Sequence, residues 1–455
     1  MKALLLASAL LAACTLAPAA TAQTPFARPA VDAILDAFKT HPLVAIDDNH
    51  GLAQELDFYS VLVRDPRFGK EVGNVVVEFG GASAQSIIDR YVAGEDVPYT
   101  ELRKVWTDTV GWVPVIPSIG YINFFASVRA ANRSLPADQR IHVWLGDPPI
   151  DWTKITGRAD FLPIIRQRDD FPAALIKSEI LAKGRKALLI YGGGHLFEYK
   201  KGAPSAKQHP GTEQAVRNLY ADLRLDQPTF ALLTPKAYAD LEQVYGQELG
   251  NMRPMAYALG PLGSMTFSGA DANGDDVFIA TTSNSPIRIA IGLDAKGKVL
   301  RFNFDPLSIP IEIEAAYPNV VFHVTHYDGF AGKACTQRFE EQARAWPAPG
   351  LAMLRGTALE RGFSGPGCGG LPKGLAPSDT PKEEVDLGYE TADAILYFGP
   401  SGDLTVSPSL PDMYLDADYR REVLRRNDIV RRARFPVEPD MNTVTVVPQK
   451  WRPEQ

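Results

Sequence analysis

Cysteine is scarce in this chain of 455 residues: there are three, Cys14, Cys335 and Cys368, and none share the C-x-x-C spacing of a zinc knuckle or a dithiol redox site. Histidine is nearly as rare, at seven. The H-E-x-x-H helix signature is absent and no G-x-S-x-G stands between a strand and a helix, so zinc-peptidase and serine-hydrolase schemes lack their sequence support. A long basic stripe is missing too. With 47 basic against 54 acidic side chains and a net charge of −7, nucleic acid is not the expected partner. What is present, 45% hydrophobic and 22% charged residues, excludes a disordered chain, a collagen-like repeat and a multi-span membrane protein.

Met1-Lys2 followed by the apolar run Ala3 to Ala13, broken only by Ser8, has the form of a secretory signal and is too short to span a bilayer. Two processing sites compete. Ala20-Thr21-Ala22 predicts a signal peptide over 1–22 and a periplasmic or secreted protein; Leu11-Ala12-Ala13-Cys14 resembles a lipobox, which would anchor the chain to the membrane through Cys14. In such an oxidising compartment Cys335 and Cys368 are expected to pair as a disulfide, with two unrelated buried thiols as the alternative.

From Phe26 to about Glu198, apolar runs alternate with helical patterns. Strands are predicted at Leu43 to Ile46, Asn74 to Val77, Ile141 to Leu145 and Ala187 to Ile190, and helices at Pro29 to Lys39, Ala84 to Val92 and Tyr121 to Asn132. Runs of Val, Leu and Ile without strict alternation suit a sheet covered on both faces, so the fold class is α/β, mainly parallel, with helices on both faces. After the polar loop Pro204 to His209 the pattern changes: helices at Thr212 to Leu223 and Lys236 to Tyr245, then strands at Ser264 to Ser268, Asp276 to Thr282, Ile287 to Leu293 and Val299 to Phe304. Asp294-Ala-Lys-Gly297 predicts a hairpin between the last two. Strands return at Val320 to Val324 and Ala394 to Phe398, separated by a Gly- and Pro-dense loop, Gly362 to Pro381. Asp416 to Arg434 reads as a helix whose basic part is either a solvated face or a contact for an anionic membrane.

Apolar strands run directly into polar residues at their carboxyl ends. Leu43 to Ile46 leads to Asp47, Asp48 and His50; Val75 to Val77 leads to Glu78; His142 to Leu145 leads to Asp147; Leu188 to Ile190 leads to Tyr191, three glycines and His195. In a parallel sheet these ends share one edge, where ligands bind. Glu78, after three valines, must be paired, protonated or at a cavity mouth, or else is a salt-bridged structural acid. Gly193 and Gly194 would let a ligand approach the backbone while His195 points into the pocket. His50, Glu78, His195 and Asp48 are therefore the catalytic candidates, serving as base, acid and orienter, or with His50, Glu78 and His195 as ligands of a divalent metal. Asp47 and Asp147 join the same edge as substrate-binding candidates. His142 is expected to pack structurally, and His326, just past its strand, is a lesser candidate for the same edge.

Asp47-Asp-Asn-His-Gly51, Val-Val-Val-Glu78, Arg129 and Asn132 before Val143-Trp-Leu-Gly-Asp147, and Ile190-Tyr-Gly-Gly-Gly-His195 together resemble the superfamily of erythromycin esterases, ChaN-like haem-uptake lipoproteins and TraB/Tiki proteins. Asp393 to Gly399, then Tyr414, Asp416 and Arg425-Arg426, resemble its closing strand and helix. The resemblance implies an α/β domain over 26–205 and 310–440, Arg129 among the substrate-binding residues, and either hydrolysis of a small-molecule or peptide substrate or carriage of haem. It departs from the usual Gly-Glu before the first His, where Asp47 and Asp48 stand, and the arginine that erythromycin esterases carry after that His has no counterpart. Macrolide hydrolysis is therefore not part of the expectation. Residues 212–307, through Leu241 to Gly246 and Ile291 to Val299, resemble an inserted cone-shaped α+β domain of the nuclear-transport-factor type.

Overall fold

The protein is described from a computed structural model over residues 26–110, 118–165, 167–196, 198–199, 207–223, 225, 261–271, 274–282, 287–306, 308–314, 316–329, 333–355, 357, 359, 389–390, 392–431 and 449–450. The signal region with Cys14, the segment Lys236 to Tyr245, the loop Gly362 to Pro381 and Cys368 lie outside the described residues.

In chain order the strands are β1 (Arg28–Pro29), β2 (Leu43–Asp47), β3 (Asn74–Gly81), β4 (His142–Asp147), β5 (Ala187–Tyr191), β6 (Glu198–Tyr199) and β7 (Leu262–Ala270). They continue with β8 (Asp276–Thr282), β9 (Ile287–Leu293), β10 (Val299–Pro306), β11 (Val321–His326), β12 (Gly350–Met353), β13 (Tyr389–Glu390), β14 (Ala394–Tyr397), β15 (Thr405–Val406) and β16 (Gln449–Lys450). Eight form one mixed, mostly parallel sheet in the order β1-β12-β14-β11-β2-β5-β3-β4. The six from β14 to β4 are parallel, which places the ends of β2, β3, β4 and β5 on one edge.

Burial on both faces explains the unbroken apolar runs. Val44, Ile46, Val75, Val77, Leu188 and Ile190 pack with the helices Ala30–Ala37, Ala53–Arg64 and Ile119–Ser134. Alternate residues, Leu43, Ala45, Val76, Leu189 and Tyr191, pack on the other side against Ala173, Ile176, Ile180, Ile309 and Ile313. Fully burying such a side chain contributes about 1.5–3 kcal/mol. The chain visits β2, β3 and β4 outward in one direction, then returns through β5 to the middle and continues outward to β11 and β14. The reversal puts a crevice at the carboxyl ends of β2, β5 and β3.

Several strands run further than their hydropathy predicts. β3 continues through Glu78 to Gly81, where it pairs with Asp147 after a register shift. The ladder uses backbone groups, which side-chain polarity does not report. Beyond β14 lie β12, antiparallel to both of its neighbours, and the edge strand β1; with four and two residues they are too short to carry a periodicity.

Strands β7 to β10 form a separate four-stranded antiparallel sheet. The helix Thr212–Asp222 lays Val216, Leu219 and Tyr220 on its Phe278, Ile289 and Ile291. In the β9–β10 hairpin, Asp294 Oδ1 accepts the Lys296 and Lys298 amides, both at 2.8 Å.

The helix Ala417–Arg431 is not a simple solvated face. Arg425 donates to the Trp152 and Ile155 carbonyls at 2.8 Å, and Arg426 donates to Thr107 O at 2.7 Å and Asp108 Oδ1 at 2.8 Å. These arginines hold the segments beside the carboxyl edge. Among the described residues no helix is long and apolar enough to cross a membrane.

Gly146 of β4 shows how closely the Tyr191 side chain of β5 reaches it across β3. A Cβ there would stand 1.7 Å from Tyr191 Oη, a buried hydroxyl with no hydrogen-bond partner among the described residues. Gly146→Ala is expected to destabilise the fold by about 1–3 kcal/mol, as overpacking does. Tyr191→Phe alone should change stability by less than about 1 kcal/mol, because no bond is lost, and should recover part of the loss in the double variant. Urea unfolding of the four proteins measures this, and additive effects would contradict the packing described.

Candidate functional site

The turn after β2 carries the first half of the site. Asp48 is 4% exposed and its amide donates to the Tyr191 carbonyl at 2.8 Å, so the end of β5 fixes its backbone. Its carboxylate accepts Tyr121 Oη at 2.7 Å and Tyr59 Oη at 3.3 Å, and bonds His50 Nδ1 at 2.7 Å. Tyr59 and Tyr121 come from two helices packed on the sheet, each sending a hydroxyl from the apolar core to one acid. The amide of Asn49 donates to Glu55 Oε2 at 2.8 Å and pins the turn from below. His50 is the open member, with 49% of its side chain exposed.

Glu78 occupies the floor, 3% exposed. Oε2 accepts the Gly192 amide at 2.7 Å; Oε1 is bonded by Arg168 Nη2 and lies 3.5 Å from His195 Nε2. Gly192 is squeezed between the two halves: a Cβ there would lie 3.0 Å from both Cε1 and Nε2 of His50 and 3.3 Å from Glu78 Oε2. His195 is held from its other side by Asp169, Nδ1 to Oδ1 at 2.7 Å. Both histidines thus have Nδ1 fixed by a carboxylate, and both stand beside Glu78.

Charge follows this geometry. Burial pushes Glu78 up, but His195, Arg168, His50 and the Gly192 amide outweigh it and hold its pKa down to about 2. Partial desolvation of the half-exposed ring depresses His50, yet its bond to Asp48 and the charges of Glu78 and Asp48 raise it above the ordinary value. His195 is likewise depressed by burial and raised overall, chiefly by Asp169. Glu55, buried beside the Asp48 charge, is pushed well above the carboxylate range.

Other expected residues stand elsewhere. Asp47 is 2% exposed and its Oδ1 meets His323 Nε2 at 2.6 Å, so it braces β2 against β11 and presents no carboxylate to a ligand. Asp147 is 1% exposed; it accepts the Val110 amide and lies 3.5 Å from Arg168 Nε, which makes it a support for that guanidinium. Arg129 does not join the cluster: it bonds the Tyr91, Gly94 and Glu95 carbonyls at the end of the helix Gln85–Ala93 and stacks on Tyr91 at 4.6 Å. Gly193 lies over Asp47, while Gly194 borders open space. His326 Nδ1 meets the Asp47 carbonyl at 3.2 Å, and His142 packs on Trp144 at 4.1 Å between ring centroids. Cys335 is buried among Tyr327, Phe339 and Tyr397.

The expected metal set is His50, Glu78 and His195. Among the described residues no group of three or more His, Cys, Asp or Glu is arranged to hold a metal ion. Arg168 bonds the Glu78 oxygen nearest His195 and places a guanidinium charge there; the aspartates on the two Nδ1 atoms orient the rings and do not themselves oppose ligation through Nε2. No family model, curated protein or solved structure matches this chain.

Arg168, Asp169, Tyr59, Tyr121 and Glu55 complete the cluster and went unseen in the sequence. Arg168 and Asp169 lie in the polar run Gln167 to Asp170, which reads as a solvated turn; the tyrosines fit the apolar stripes of their helices and read as core.

Proposed function

We propose that the chain is an exported hydrolase-like protein of the erythromycin esterase, ChaN-like and TraB/Tiki type, acting on an ester or peptide carbonyl at the carboxyl edge of its sheet. The observation that carries this reading is the pair of histidines flanking Glu78, one half-open and both held at Nδ1 by carboxylates. Neutral His50 takes a proton from water through Nε2 as the water oxygen bonds to the substrate carbonyl carbon; protonated His195 returns a proton to the leaving group. Asp48 orients His50 and supports the imidazolium that forms, and Asp169 does the same for His195. Glu78 anchors Arg168 and the Gly192 amide and keeps both imidazoles basic. In this reading residues 212–307 form the inserted cone-shaped α+β domain, Cys335 pairs with Cys368, and the signal over 1–22 directs export.

Hydrolysis of a panel of esters and peptides by the mature protein tests this. The rate should rise with pH as His50 loses its proton, above the ordinary value of 6.5, and fall again as His195 does. Asp48→Asn removes a charge that raises His50, so the rising limb should move to lower pH while the plateau falls by about 10²–10⁴-fold. An unmoved limb would remove His50 as the base. A Soret band on adding haem, with no turnover of any substrate, would favour a haem-carrying protein of the ChaN-like type instead.

A further inference from the structure

A cavity of about 450 Å³ opens between the helix Lys333–Ala343, the turn after it and the carboxyl end of β14. Trp346 and Tyr397 line it, and their rings meet nearly at right angles, at 84° with centroids 5.7 Å apart. Phe339 backs both rings, 5.5 Å from Trp346 and 6.0 Å from Tyr397. Glu340 faces the cavity in a fixed pose, because its Oε1 accepts Tyr327 Oη at 2.9 Å and both the amide and the hydroxyl of Ser401 at 2.8 Å. Those donors leave Oε2 without a protein partner among the described residues. Beside it Glu341 accepts one 3.3 Å bond from Gln337, and among the described residues of the lining the one cation is the exposed Arg344.

We propose that this cavity binds a small organic cation with a guanidinium head, independently of the His50 site. Two carboxylates against one guanidinium leave the described lining net negative, which disfavours anions. Aromatic faces attract cations. A flat guanidinium can stack on the partly buried Trp346, which Tyr397 braces, while donating in-plane to Glu340 Oε2; a quaternary ammonium could use the ring but has no hydrogen to donate. The three bonds on Oε1 orient the carboxylate in advance, so less side-chain freedom is lost on binding.

Calorimetric titration of the full chain with methylguanidinium, tetramethylammonium and acetate tests the proposal. Methylguanidinium should bind saturably, tetramethylammonium more weakly and acetate not at all. Trp346→Ala and Glu340→Gln should each weaken methylguanidinium by about tenfold or more. Because Glu340 also holds Ser401 and Tyr327, Glu341→Gln is measured beside it, with thermal melts of every variant; it should weaken binding without lowering the melting temperature. His50→Ala should bind as the parent does, which separates this site from the hydrolytic reading. Absence of saturable binding up to about 10 mM, unchanged binding in the Trp346 and Glu340 variants, or equal affinity for tetramethylammonium would each overturn the assignment.

Discussion

Replacing His50 by alanine should lower turnover by about 10²–10⁴-fold, the range that a positioned general base contributes, while leaving the thermal melt almost unchanged. The separation of effects follows from position. His50 lies in a turn and keeps 49% of its side chain in solvent, so its removal opens no cavity in the core. The acid behind it stays supported, because Tyr59 and Tyr121 still bond Asp48. Steady-state kinetics on the best substrate of the panel, with circular dichroism on the same samples, is the check. Parent-like turnover would end the assignment of His50; loss of the fold would show that the turn is a structural keystone.

Glu78→Ala should act on both stability and turnover. It strips Arg168, His195 and the Gly192 amide of one shared partner in a site that is 3% exposed, and breaking a buried pair from one side costs about 3–5 kcal/mol. Glu78→Gln separates charge from shape. The carboxylate is held at about 2 in the folded protein against an ordinary 4.5, so its stabilisation is complete above 4.5 and is lost as pH falls through that window. The shift corresponds to about 3 kcal/mol. Denaturant midpoints measured from neutral pH down to about 2 should therefore fall less steeply for Glu78→Gln than for the parent. Parallel curves would mean that Glu78 does not carry the buried charge described.

The sheet was legible because each central strand is buried on both faces: Leu43 to Ile46, Val75 to Val77 and Leu188 to Ile190 could hardly be anything else. Their polar sequels were legible for the same reason, since an acid such as Glu78 after three valines demands a partner. The partner itself was not. Arg168 reaches Glu78 from 90 positions away out of a polar turn, and no spacing rule connects them. Asp47 misled in the opposite direction: as the last residue of β2 it lies on the face that Ala45 shares with His323 and meets that ring, whereas Asp48 stands beyond the strand in the turn. Arg129 resembled a ligand contact by its place in a motif, whereas its helix turns it onto backbone carbonyls that needed capping.

The decisive measurement is an NMR titration of the histidine rings in the parent and in Glu78→Gln. One buried charge lies beside both His50 and His195, so each should titrate above 6.5 in the parent and both should move down together when that charge is removed. If either ring titrates identically in the two proteins, the imidazoles do not share Glu78, and the two-histidine site fails.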